Sequence, residues 1–145
     1  MDLTSAPTTL APLTFGEILA RFGLACLILI PLLLVLGQVF LRVTGVPITY
    51  PPLTPLPLLS GAVGGSVLCA LGYTVLSLFI RDQRTLLIVF VVLGVLLLTL
   101  SFNLPWRLTY TKSLRFVGHT ASAQMAQALL HVVVVGVNLA LFLRR

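Results

Sequence analysis

Four runs of at least 20 residues, 22–41, 58–80, 85–104 and 120–143, contain no Asp, Glu, Lys or Arg. Each is long enough to cross the hydrocarbon layer of a bilayer as an α-helix, which takes about 20 residues. A backbone in hydrocarbon has to satisfy its own N–H and C=O groups, and a helix does so within one segment. The expected fold is all-α: a polytopic membrane protein, built as an antiparallel bundle of four transmembrane helices over residues 14–145. Residues 1–13, polar and broken by proline, read as a flexible tail.

Composition narrows the function classes. The chain has 145 residues, of which 59% are apolar and 8% are charged. A soluble domain carries about 25% charged residues, and so few charges cannot wet a globule of this size. Mean hydropathy is +1.15. A soluble enzyme, a disordered chain and a secreted disulfide scaffold are excluded. Nine Lys/Arg against three Asp/Glu give a net charge of +6, which in a soluble protein would raise nucleic acid as a partner. Here the bases sit at the ends of the apolar runs: Arg21, Arg42, Arg81, Arg84, Arg107, Lys112, Arg115, Arg144 and Arg145. There they anchor helices and meet anionic headgroups, so the expected partner is the lipid bilayer and not nucleic acid. Cys26 and Cys69 both fall inside apolar runs without CxxC spacing and read as packing residues. The first twenty residues hold two acids and no base. That is the reverse of a signal peptide's n-region, so the first helix is expected to remain as a span.

Local signals place the elements. Thr14 and Glu17 have capping-box spacing, and Glu17 and Arg21 stand four apart in the favourable order, acid before base. Pro31, in the middle of the first span, should kink it. Residues 42–57 contain five prolines, so an extended or polyproline II connection is expected, with Tyr50 at the membrane interface. The turn RDQR at 81–84 makes the second and third helices antiparallel neighbours. Pro105 and Trp106 end the third span, and residues 107–118 read as a basic amphipathic segment along the headgroups. Four spans put both termini on one side. That side holds five bases and the other four. With the uncharged proline connection reading as extracytoplasmic, both termini are expected in the cytoplasm.

Two features stand out as candidate sites. In the second span, Gly61 and Gly65 form a GxxxG continued by Cys69 and Gly72, with Ala62, Ser66 and Ala70 in a parallel row. Small residues let helix backbones approach closely in lipid. The face suits packing within the monomer, homodimerisation or a substrate path. In the fourth span, Thr120, Gln124, Gln127, His131 and Asn138 fall within an arc of roughly 60° at 100° per residue. A polar stripe that narrow should face the bundle interior, a partner or a water-filled cavity. It reads as an interhelical hydrogen-bond seam, a small-molecule or lipid pocket, or a conduction path, with Gln38, Thr99, Ser101 and Asn103 as expected partners. His119 and His131 lie on one helix about 18 Å apart along its axis, so haem ligation would need a dimer. Two His and two Cys on three helices have no zinc-ligand spacing. No cofactor and no metal is expected.

The second span ends in LGYTVLSLFIRDQR, the third in LSFNLPW, and the fourth is QMAQALLHVVVVGVNLALFLRR. Over roughly residues 18–145 these motifs resemble a family of short bacterial four-span membrane proteins known only as a domain of unknown function. The methionine usual in that family before the histidine is here Leu130. The resemblance implies a four-helix fold and a place in the bacterial cytoplasmic (inner) membrane. It implies no activity and no catalytic residues. The function expected is therefore non-enzymatic: a structural or accessory bundle, as an oligomer or a subunit of a larger membrane complex. The alternative is a small transporter, or a bundle that binds lipid or a small molecule on the polar face of the fourth helix.

Overall fold

Thr14 starts the first helix, α1 (Phe15–Thr44), through the capping box its spacing predicts. Its Oγ1 accepts from the Glu17 N–H at 3.3 Å, and the Glu17 carboxylate accepts from the Thr14 N–H at 2.7 Å. Gly45 ends α1 in the left-handed region at φ +68°, where a side chain would be strained. The computed structural model describes residues 12–103 and 120–144. The expected headgroup segment at 107–118, with Pro105, Trp106 and His119, lies outside the described residues, as do positions 1–11 of the tail.

Three further helices follow: α2 (Pro55–Phe79), α3 (Gln83–Ser101) and α4 (Ala121–Leu143). All four helices are long and apolar enough to cross a membrane, and among the described residues there is no strand. α1 outruns the uncharged run that announced it at both ends and α2 and α3 start before theirs, because capping and not charge sets where they begin. α1 continues unbroken past Pro31, which lies on an exposed face.

The proline-rich connection is folded rather than extended. Pro51–Leu53 form a single 3-10 turn, and α2 starts at Pro55 with Pro57 still in its first turn. The first-turn N–H groups of a helix have no intrahelical acceptor, so proline forfeits nothing there. Val46, Tyr50 and Leu53 from this connection are buried, Leu53 completely. Tyr50, expected at the interface, is only 2% exposed. At the other connection, Asp82 caps α3 by accepting from the Thr85 N–H at 2.7 Å.

The helices run up, down, up and down. α1 packs along α2 and α4, α3 closes the ring against α4 and α2, and α2 touches α4 across the middle. Buried side chains fall into two clusters. One holds the start of α1, the end of α2, the start of α3 and the end of α4: Ile18, Tyr73, Leu86, Phe90 and Phe142. Its centre is an aromatic trio, Tyr73, Phe90 and Phe142, with ring centroids 5.5–5.6 Å apart. The other, which reaches from the middle of α1 to the opposite end, gathers Ala25, Leu29, Leu33 and Leu41 of α1 with Tyr50, Leu53, Leu58, Ala62, Ala123 and Leu130.

α3 is the least enclosed helix. Its buried residues, Gln83, Leu86 and Phe90, all lie in its first half.

Candidate functional site: the polar face of the last helix

Thr120 is the N-cap of α4. Its Oγ1 accepts from the Ala123 N–H at 3.1 Å and pairs with the Ser122 hydroxyl at 2.9 Å. The first member of the stripe is thus occupied in starting the helix. Gln124, one turn on, is half-buried and also engaged.

Gln127 is the best-placed member of the stripe. It is 7% exposed, and its Nε2 donates to the Tyr50 hydroxyl at 3.2 Å. The bond joins α4 to a residue 77 positions earlier in the α1–α2 connection. Burial raises the Tyr50 hydroxyl above the ordinary phenol range, and the Gln127 bond opposes the shift in part.

His131 is half-buried and makes no hydrogen bond among the described residues. Asn138 is completely buried, and its Nδ2 donates to the Val134 carbonyl in its own helix at 2.9 Å. Its Oδ1 has no partner among the described residues. Ser66 of α2 is equally buried, and its Oγ is likewise unpartnered. Gly65, the neighbour of Ser66, packs against Val134, one turn before Asn138. The two orphaned groups therefore lie within about one turn of each other along helices that touch.

None of the four partners expected for the stripe is seen bonded to it. Gln38 is exposed on the outside of α1 and Asn103 is exposed beyond the end of α3. Thr99 and Ser101 donate to their own helix, to the Val95 and Leu98 carbonyls at 2.9 and 2.7 Å. A short hydroxyl in an apolar helix reaches the carbonyl three or four residues back more readily than a neighbouring helix. Tyr50 supplies the cross-chain contact instead. Its signal was a phenol between Val46 and Leu53, apolar neighbours at spacings that a folded connection can turn inward.

On α2, the two parallel small-residue rows behave differently. Ala62 and Ser66 are fully buried. Of Gly61, Gly65, Cys69 and Gly72, Gly65 approaches α4 so closely that a Cβ would lie 2.5 Å from the Val134 Cγ1. Gly61 is exposed, and both Gly61 and Gly72 have open space where a Cβ would stand. Cys69 is half-buried against the aromatic cluster. A further close approach is at Gly37 of α1, where Leu58 of α2 fills the position of the missing Cβ.

The opposite end of the bundle holds a polar cluster of its own. The Tyr73 hydroxyl accepts from the Leu13 N–H at 3.3 Å and from the buried Gln83 amide at 3.3 Å. Arg21 donates to the Leu141 and Phe142 carbonyls at 2.9 and 2.8 Å, satisfying the last turn of α4. A cation there also suits the helix dipole. The spacing of Glu17 and Arg21 suggested an ion pair along α1. The guanidinium instead bonds the end of α4, and the Glu17 carboxylate bonds Thr14.

Among the described residues no three His, Cys, Asp or Glu side chains come together as a metal site. Compared with known protein families, curated proteins and solved structures, the chain matches none.

Proposed function

We propose that this chain is a non-catalytic integral membrane protein, a structural or accessory subunit of a larger membrane assembly. The observation that carries the reading is the Gln127–Tyr50 bond. The side chain best placed for a ligand instead holds the α1–α2 connection against α4. The lightly enclosed second half of α3 agrees with this, since Val92, Val95, Leu96, Leu97 and Leu100 are at least half exposed and offer a face for a neighbouring helix. In this reading the assembly sits in the bacterial cytoplasmic membrane with both termini inside. Kinship with the short four-span family belongs to the same proposal. Tyr73 and Gln83, both within its first motif, bond each other at 3.3 Å, which gives the motif a structural role in this chain.

The test is purification in native lipid followed by mass spectrometry and cross-linking. A stoichiometric protein partner with cross-links to the second half of α3 is expected. A monodisperse single chain without a partner would overturn the assembly role. Reporter fusions at the C-terminus test the orientation, and activity of a periplasmic reporter there would reverse it.

One observation favours the second reading, a small transporter or a ligand-binding bundle. The Ser66 Oγ and Asn138 Oδ1 are fully buried in the interior of the bundle, without partners among the described residues. A bound small molecule displaced by Gln127→Leu or Asn138→Leu would establish it.

A further inference from the structure

Gln38 is an amide on the outer surface of a helix that is otherwise apolar for two turns on either side of Pro31. It is exposed and makes no hydrogen bond among the described residues. An exposed amide set among apolar side chains, at the inner edge of the polar zone, is better placed against a polar group than against acyl chains. Arg42 stands four residues further along the same face, also exposed, in the last turn of α1. The helix dipole accounts for a cation at that end, but it gives no reason for Gln38.

These two polar groups share one face of α1 with Leu34, Val35 and Val39, and together the five side chains line a shallow, open concavity of about 330 Å³. Its chemistry is graded by depth. Arg42 is outermost, and Gln38 lies about 6 Å further in along the helix axis. Only Leu34, Val35 and Val39 complete the wall. The polar zone of each bilayer leaflet is about 5–7 Å deep before hydrocarbon begins. With Arg42 at the phosphate level, Gln38 therefore reaches the depth of the acyl esters. A guanidinium matches a phosphodiester, an amide N–H matches an ester carbonyl, and the aliphatic wall matches an acyl chain. Charge favours an anionic occupant, because the acids among the described residues, Glu17 and Asp82, belong to the opposite end of the bundle and leave Arg42 without an internal counter-ion.

We propose that Arg42, Gln38 and the Leu34–Val35–Val39 wall of α1 form a binding site for one anionic glycerophospholipid. The guanidinium takes its phosphate and the Gln38 amide one of its ester carbonyls. The inference rests on the membrane reading and is independent of the assembly role.

The test uses the full chain exchanged into detergent with phosphatidylglycerol or phosphatidylcholine, with retained lipid counted by native mass spectrometry. One phosphatidylglycerol per chain should survive in preference to phosphatidylcholine. Arg42→Gln should lower its retention about fivefold, which is what one base near an anionic surface contributes. Gln38→Leu, which leaves every charge in place, should lower it about threefold, the value of one modest hydrogen bond in lipid. Arg81→Gln removes an exposed base at the other end and should change nothing. Equal retention of the two lipids, or an Arg42→Gln result matching Arg81→Gln, overturns the site. Release of the protein from membranes by alkaline carbonate would refute the membrane reading itself, an outcome separable from loss of lipid preference.

Discussion

The Tyr50–Gln127 bond is the contact on which the reading of the last helix turns, and a double-mutant cycle can weigh it. Tyr50 is 2% exposed and Gln127 is 7% exposed, so neither group can turn to water when its partner is removed. Tyr50→Phe keeps the ring and deletes only the acceptor, leaving the Gln127 N–H unsatisfied. Gln127→Leu leaves the Tyr50 hydroxyl stranded. An unpaired buried donor or hydroxyl costs about 1–3 kcal/mol, although bonds between membrane helices average only about 0.6 kcal/mol because the unfolded chain also finds partners in lipid. Each single variant should therefore lose about 1–2 kcal/mol in reversible unfolding by SDS in mixed micelles. The double variant, with nothing stranded, should lose less than the sum by about 1 kcal/mol.

The same pair predicts a dependence on pH. Burial makes Tyr50 hold its proton more tightly in the folded state. Its contribution is then complete below the unfolded pKa near 10 and is lost as pH rises through the higher folded value. Tyr50→Phe should flatten that alkaline loss. Strict additivity of the two single variants, or an unchanged alkaline limb, would show that the bond does not fasten the connection to α4.

Four more outcomes follow from the packing. Gly65→Ala should destabilise by about 1–3 kcal/mol, since the new methyl would meet Val134, a β-branched side chain with little freedom to move. Gly61→Ala, with open space at its Cβ, should be neutral or gain up to about 1 kcal/mol from helix propensity, in the same unfolding assay. Arg21→Met should cost about 1–2 kcal/mol and speed amide exchange over the last turn of α4, whereas Glu17→Gln should leave that turn unchanged. The Thr85 hydroxyl and amide hold the Asp82 carboxyl below its ordinary range. Its cap is present above the ordinary Asp value and is lost as pH falls through the lower folded one, so Asp82→Asn should remove that part of the acid-induced loss of stability.

How much of this was legible in the sequence depends on whether the cause was local. The four helices were, because bilayer thickness and the absence of charge act on each run separately. The start of α1 was equally legible, since Thr14 and Glu17 satisfy each other within three residues. Ends set by other means were misplaced. The prolines of 42–57 suggested an extended connection, yet Pro55 and Pro57 begin α2, because proline disrupts a helix only after its first turn. Which small row of α2 faces inward was not readable either. Two rows 100° apart both satisfy a spacing rule, and only the placement of the neighbouring helices buries Ala62 and Ser66 while leaving Gly61 of the other row exposed.

The polar stripe shows why a site is harder to read than a fold. Periodicity established that Thr120, Gln124, Gln127, His131 and Asn138 share a face, but a face does not name its partner. Three of the five show how reach decides the partner. Thr120 bonds an amide three residues on, Asn138 a carbonyl four residues back, and the longer Gln127 crosses to Tyr50. Side-chain length and competition from the local backbone thus decided what periodicity left open. Asn138 carries two different groups on one amide, and its own helix can accept from the nitrogen but offers no free donor to the oxygen. The oxygen must look outside the helix, and Ser66, on the neighbouring α2, carries a buried hydroxyl that is likewise unpartnered among the described residues. A Ser66–Asn138 bond would complete a seam closed to ligands. A small molecule seated between the two makes the same pair the polar floor of a site, the outcome that ligand displacement by Asn138→Leu reads directly.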